Sequence, residues 1–286
     1  MSARLARLMR NRGLLWTLLV LLVAALLILL VWLAGRYEAS AVQSRLEADA
    51  ADLANAMRNG LSRNQRSLQA LHSERGSAWQ AQAAELLLQR RDLVRLESRD
   101  AELGLRQVLS TPHRPDVFSR MGRQETQADV NLACSGALRF NGSAYSTSYF
   151  VPQTDGLGLE LMDLCLPHSV AGEVVGFTVA TYSLSDLLAE WTAARLGRGQ
   201  ALAFTEADGT RLAIIGSPGN GQQLYTAQQL LDLPGNTLVL RLESRQGTTD
   251  LFPNLLSALV TAMTLALGAV LVLLVRDMRR RQKVEN

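Results

Sequence analysis

Two runs of 21 residues, 14–34 and 255–275, carry no charged side chain. As helix each is about 31 Å long at ~1.5 Å per residue, which matches a bilayer core of about 30 Å. Between them the pattern changes several times. From 36 to 72 there is no proline, and Val42, Leu46, Ala50, Leu53, Met57, Leu61, Leu68 and Leu71 recur mostly at helical spacing. This predicts one long helix continuing the first run, with Gly60 a place for a kink. A second, short helix is expected over 77–91. Residues 92–96 read as a strand, 101–109 as strand or helix, 111–115 as a proline-punctuated loop and 123–134 as helix. Three extended runs then follow closely, 143–151, 157–166 and 173–182, before helical spacing resumes over 186–196. Short Gly/Asp turns between adjacent strands argue an antiparallel sheet, and helices before and after it argue an α+β unit.

A smaller set comes next. The runs 201–206 and 210–215 flank Ala207-Asp208-Gly209, a hairpin signal. A loop over 216–221, a short helix over 226–231 and a last strand over 236–243 complete it. These ~55 residues are few for an independent core, so the set is expected to lean on the first unit or on the long helix. The expected organisation is a basic tail (1–13), a first span (14–34), a stalk helix (35–76), a larger unit (77–197), a smaller unit (198–254), a second span (255–275) and a basic helix start (276–286).

Charge fixes the expected topology. Arg4, Arg7, Arg10 and Arg12 precede the first span, and Arg276, Arg279, Arg280, Arg281 and Lys283 follow the second, whereas the intervening segment is net acidic. By the positive-inside rule both termini are cytoplasmic and the middle of the chain lies across the membrane. The first span is longer than the apolar core of a cleaved signal peptide, and Trp32 and Tyr37 stand where an interfacial belt would. The net charge of +3 in 286 residues is accounted for by these flanks and is no nucleic-acid signal. Two spans are too few for a transporter, and two cysteines too few for a disulfide-rich toxin.

Catalytic patterns are absent: the sequence has no GxxxxGK[ST], strand-borne GxGxxG, HExxH or GxSxG. His72, His113 and His168 have no ligand-like spacing, so neither metal nor cofactor is expected. Cys134 and Cys165 lie in the segment assigned to the oxidising side, where a disulfide between them is favoured over two buried thiols. In the run 143–151 a period of two puts Ser143, Tyr145, Thr147 and Tyr149 on one face. Two phenols and two hydroxyls on a concave sheet suit a small polar ligand. The alternative is a face covered by a helix, with each hydroxyl satisfied locally. Tyr145, Thr147, Tyr149 and Tyr182 are the ligand-binding candidates.

The order of tail, span, long helix, α+β segment, span and basic helix resembles the sensor half of bacterial transmembrane histidine kinases. More narrowly, SAYSTSYFVPQTDGLGLELMDLCLP and GEVVGFTVATYSLSDLLAEW resemble the periplasmic PAS-like (Cache) sensor domain of C4-dicarboxylate-type sensor kinases. The resemblance implies two such antiparallel-sheet units in tandem on a stalk helix, a small periplasmic solute as ligand, contact with membrane lipid and a homodimer in the inner membrane. Tyr149-Phe150 match the aromatic pair that lines the family's pocket. Thr147 stands where its dicarboxylate binders carry arginine, a departure from that specificity. No phosphoacceptor-histidine motif or ATP-binding glycine box occurs. The chain is therefore expected to be the input region of a longer sensor histidine kinase, or one that lost its transmitter. The alternatives are the input of a chemoreceptor or diguanylate cyclase, or an adaptor that binds a periplasmic protein.

Overall fold

The computed structural model describes residues 2–71, 76–153, 158–192, 196–197, 199–219, 223–246, 261–266, 268–269 and 272, with only the backbone for 2–20, 27, 30–31, 34–35, 37–39, 192, 223 and 246. The chain divides into two compact units, one made of Met1–Ser44 with Thr248–Asn286, the other Arg45–Gly247. In the first, the uncharged run 14–34 lies inside helix α1 (Ser2–Ala70). Leu21, Leu22, Leu26, Ile28, Leu29 and Leu33 are exposed there, and the Arg36 guanidinium lies 5.0 Å from the Trp32 ring. Among the described residues no helix is long and apolar enough to cross a membrane. Most of 255–275 falls outside the described residues.

The second unit is α+β, built on two antiparallel sheets. From Arg45 onward α1 buries Leu46, Ala50, Leu53, Met57, Leu61 and Leu68. This i, i+3/i+4 stripe is the reason the segment is helical in its fold context. The helix runs unbroken past Gly60, where the glycine has a steric role: a Cβ there would lie 2.7 Å from the Trp191 ring. Helix α2 (Ser77–Gln89) leads into strands β1 (Leu93–Asp100) and β2 (Leu105–Ser110). A 3-10 turn (Arg123–Thr126) then opens α3 (Gln127–Phe140), which Asn141 ends in the left-handed conformation.

Strands β3 (Ala144–Tyr145), β4 (Tyr149–Pro152), β5 (Gly158–Val170) and β6 (Glu173–Ser183) complete the first sheet, in the order β2-β1-β6-β5-β3 with β4 also on β5. Ala171 (φ 54) and Gly172 (φ 88) form the two-residue turn of the β5–β6 hairpin; two positive φ values are the type I′ pattern that matches strand twist. One face of this sheet, with Leu96, Met162, Leu164, Ala180 and Tyr182, joins α1, α2 and α4 (Leu184–Thr192) in one core. On the other face α3 sets Val130, Ala133 and Ala137 against Phe177 and Val179. Val117 and Phe118, just after the proline loop, cover Val151 and Leu161 beside them.

The second sheet has β7 (Gln200–Thr205), β8 (Arg211–Gly216), β9 (Gln223–Leu233) and β10 (Asn236–Gln246) in the order β8-β7-β10-β9. Its Leu202, Phe204, Leu231, Leu240 and Leu242 belong to the same core as α1. Two sequence expectations are corrected here. Residues 226–231 are strand, not helix: Ala227, Leu231 and Leu233 are buried while Leu230 is 62% exposed, and the segment pairs along its whole length with β10. The helical spacing of Ala227, Leu230 and Leu231 is overridden by that ladder. The run 143–151 is not one strand but two, because β3 and β4 are separated by Ser146, Thr147 and Ser148.

Candidate functional site

The covered face of the first sheet carries an unusual set of charges. Along β1 a period of two places Arg95, Glu97 and Arg99 on this face. Arg95 pairs with Thr181 of β6 and Thr181 with Asp163 of β5, so these three stand in one row across the sheet. Glu97, Asp163 and Thr181 are fully buried, and Arg95 and Arg99 nearly so. Arg123 comes down onto the row from the 3-10 turn above the sheet.

Arg123 organises the cluster. Its two terminal nitrogens donate to the two oxygens of Asp163, each at 3.0 Å, a bidentate fork. Its Nε donates to Glu97 Oε1 at 3.0 Å, and Nη1 also donates to the Tyr149 hydroxyl at 2.8 Å. Tyr149 and Thr181 donate their hydroxyls to Asp163 at 2.9 and 2.6 Å. Glu97 is held from both sides along its own strand, by Arg95 at 2.7 Å and Arg99 at 2.8 Å. The Phe118 ring caps two of the cations, 4.8 Å from the Arg123 guanidinium carbon and 5.3 Å from that of Arg95. Arg95 also faces Asp116 at 3.6 Å, which leaves three cations opposite three anions.

The electrostatics follow from this geometry. Burial pushes the Glu97 carboxyl up, but Arg123, Arg99 and Arg95 outweigh it and hold the group below the usual carboxylate range. Burial, and then Asp163, push the Tyr149 phenol well up, so it stays a donor. For Arg123 burial acts downward and is outweighed by Asp163, Tyr149 and Glu97, which raise it. Asp129, on α3, is raised by burial and by the negative charge of Asp163. A buried ion network of this kind adds little net stability over apolar packing, but removing one member leaves an unpaired charge. The set is directional and mutually satisfied, and it ties a cover of one loop, a 3-10 turn and α3 to the sheet.

The four aromatic and hydroxyl candidates are separated by the fold. Tyr149 enters the cluster. Tyr145 and Tyr182 lie on the opposite face, buried in the core with α1. Thr147 is exposed between β3 and β4. The cause is one extra residue. Tyr145 pairs with Leu164 and Tyr149 with Leu161, so four steps on one strand match three on the other and the side-chain alternation inverts. Cys134 and Cys165 are bonded, with Cα atoms 5.1 Å apart, tying α3 to β5 beside the cluster. His113 Nε2 lies 3.0 Å from the Leu88 carbonyl; His72 falls outside the described residues. Among the described residues no group of three or more His, Cys, Asp or Glu is placed to hold a metal ion.

Arg95, Glu97, Arg99, Arg123, Asp163 and Thr181 were not among the sequence candidates. Two signals were present: charges at every second position of the extended run VRLESRD, and a lone carboxylate within the apolar run LMDLCL. Neither belongs in a buried strand unless a partner meets it. A cavity of about 360 Å³, lined by Trp79, Ser98, Arg106, Gln107 and Thr178 among others, borders the cluster at Arg99.

No protein-family model matches the chain, and no curated protein matches it. Solved structures do. The ligand-binding domain of the Pseudomonas aeruginosa PAO1 amino acid chemoreceptor PctB, in complex with L-Arg, is 12% identical, with 75% of this chain and 98% of that one covered and a TM-score of 0.49. The ligand-binding domain of the Pseudomonas fluorescens chemoreceptor CtaA, in complex with L-isoleucine, is 15% identical over 74% and 95%, at 0.48. The ligand-binding domain of the P. aeruginosa amino acid chemoreceptor PctC, in complex with GABA, is 14% identical over 71% and 99%, at 0.45. With TM-scores below 0.5, the functional reading rests on this chain's own residues.

Proposed function

We propose that the chain is a membrane-anchored, extracytoplasmic sensing input. On this reading 14–34 and 255–275 are the spans, both termini are cytoplasmic, and residues 77–197 and 198–254 are tandem PAS-like (Cache) units. A small periplasmic solute engages the covered face of the first sheet, and a homodimer carries the change across the inner membrane. The observation that carries the reading is the buried Arg123–Asp163–Tyr149 cluster, in which a group on the cover is ion-paired to a group on the sheet. A solute that binds there exchanges partners with Arg123 and so repositions the cover. It shifts the resting equilibrium only by its differential affinity for the two arrangements; tenfold corresponds to about 1.4 kcal/mol. The output is that of a sensor histidine kinase, with a chemoreceptor output equally compatible with this input.

The test is a thermal-shift screen of the full chain in detergent micelles against small carboxylates, amino acids and polyols. A saturable rise in melting temperature that is lost in Tyr149→Ala and kept in Trp79→Ala supports the covered face. The reverse pattern moves the solute to the cavity beside Trp79. No rise with any compound, in protein that melts cooperatively, refutes solute sensing and favours a protein partner.

A further inference from the structure

The end of β3 and the residue after it, Tyr145 and Ser146, are held from two directions. On one side Ser146 is tied to the candidate site: its N–H donates to the Asp163 carbonyl at 2.8 Å, and its hydroxyl accepts from the Asp163 N–H at 2.9 Å. On the other side the same segment receives the β9–β10 turn of the second sheet. Tyr145 N–H donates to the Pro234 carbonyl at 2.7 Å, and the Asn236 side-chain amide donates to the Ser146 carbonyl at 2.8 Å. Gly235 closes the fit. Its φ is 89, and a Cβ there would stand 2.7 Å from the Tyr145 carbonyl oxygen, so glycine alone lets the turn lie flush against β3. Ser146 is fully buried.

We infer that the Pro234-Gly235-Asn236 turn is a latch through which the Arg123–Asp163 cluster controls β9 and β10. Its purpose as a signal rests on the sensing reading above; its existence as a coupling does not. Asp163 stands at a pivot, with its side chain held by the cover through Arg123 and its backbone held by Ser146. A shift of Asp163 along β5 when its side chain changes partners is passed to Ser146 by two hydrogen bonds and to the turn by Asn236. That turn joins two strands paired along their full length, from Asn236↔Leu233 to Gln246↔Gln223, so a tug at one end reaches the other as a unit. The end of β10 is Gln246, immediately before the residues that lead to the second uncharged run. The route is short and contiguous, and both of its ends can be perturbed separately, which is the condition for demonstrating coupling.

The experiment is hydrogen exchange by mass spectrometry on the full chain in detergent micelles without solute. It compares wild type, Arg123→Met, Asn236→Ala and the double variant. Arg123→Met is expected to speed exchange of β9–β10 peptides by about tenfold, an opening local to that hairpin. Asn236→Ala alone is expected to leave the β4 peptide around Tyr149 as protected as in wild type. In the double variant the effect of Arg123→Met on β9–β10 is expected to disappear. The latch is overturned if Arg123→Met leaves β9–β10 exchange unchanged, or speeds it equally with and without the Asn236 amide. Should Arg123→Met lose its fold, Tyr149→Phe, which removes one hydroxyl from the cluster, takes its place against Gly235→Ala, whose Cβ pries the turn from Tyr145, under the same criteria. Because no solute enters these measurements, a negative solute screen leaves their outcome intact.

Discussion

Arg123→Met is the substitution whose cost can be worked from the structure. The guanidinium makes both halves of the fork to Asp163, one bond to Glu97 and one to the Tyr149 hydroxyl. Methionine keeps most of the volume and removes every donor. Glu97 is left with Arg95 and Arg99, so its charge stays compensated. Asp163, fully buried, is left with the hydroxyls of Tyr149 and Thr181 and no cation from the cover. Removing one member of a buried pair costs about 3–5 kcal/mol. The two surviving hydroxyl bonds, each worth about 1.5–3 kcal/mol to a charged acceptor, put the expected loss at the lower end, about 3 kcal/mol. The assay is urea unfolding of the full chain in micelles, followed by the fluorescence of Trp79 and Trp191. Combining Arg123→Met with Asp163→Leu removes both charges, and the pair is expected to cost about 2 kcal/mol less than the sum of the single changes. A loss below about 0.5 kcal/mol in Arg123→Met, or additive costs in the cycle, would refute the view that these groups depend on one another.

Three further outcomes are expected. Glu97 is depressed in the folded protein by Arg123, Arg99 and Arg95 against the upward push of burial. Its contribution is therefore fully present above the unfolded value of about 4.3 and lost as pH falls through the folded one. The urea midpoint should hold above that value and drop below it, with a shallower drop in Glu97→Gln; an identical profile in that variant would count against the assignment. Opening the Cys134–Cys165 bridge, 31 residues apart, should cost about 3–4 kcal/mol on the chain-entropy model, measured as a fall in urea midpoint with reductant that Cys134→Ala does not repeat. Gly60→Val places carbon 2.7 Å from the Trp191 ring, which must swing away from the Arg63 and Arg90 guanidinium groups stacked on it. Overpacking of this kind costs about 1–3 kcal/mol, and an unchanged Trp191 emission would show that the ring had not been in contact.

The long helix, the β5–β6 hairpin and the Ala207-Asp208-Gly209 hairpin were readable because their signals are local: a stripe at i, i+3/i+4, and turn residues at fixed offsets. The 226–231 segment misled for the same reason. Its leucines fit a helix locally, while the ladder that makes it a strand is set by Asn236–Gln246 across Pro234-Gly235. The candidate site was legible in one residue, Tyr149. Its neighbours come from β1, the 3-10 turn, β5 and β6, and pairing Arg123 with Asp163 needs a register that no single segment contains. The inversion between Tyr145 and Tyr149 also depends on counting steps on β5, which the run 143–151 does not carry.

The strand order has a kinetic consequence. β1 is inserted between β2, its neighbour in sequence, and β6, whose Ala180 faces Leu96 across a gap of 84 residues. The hairpins β5–β6, β7–β8 and β9–β10 are local and belong to the microsecond class. Closing β1 onto β6 carries a loop-closure penalty of about 4 kcal/mol. The Cys134–Cys165 bridge lies wholly inside that loop and shortens it to 53 residues, which lowers the penalty by only about 0.4 kcal/mol. Oxidation therefore does little to speed this closure. Glu97 travels with β1 and Asp163 with β5, so the two carboxylates meet around Arg123 only once the slowest, highest-contact-order pairing has formed. A chain arrested before that step would carry its hairpins and lack its charge cluster altogether, which makes the cluster a marker of completed folding.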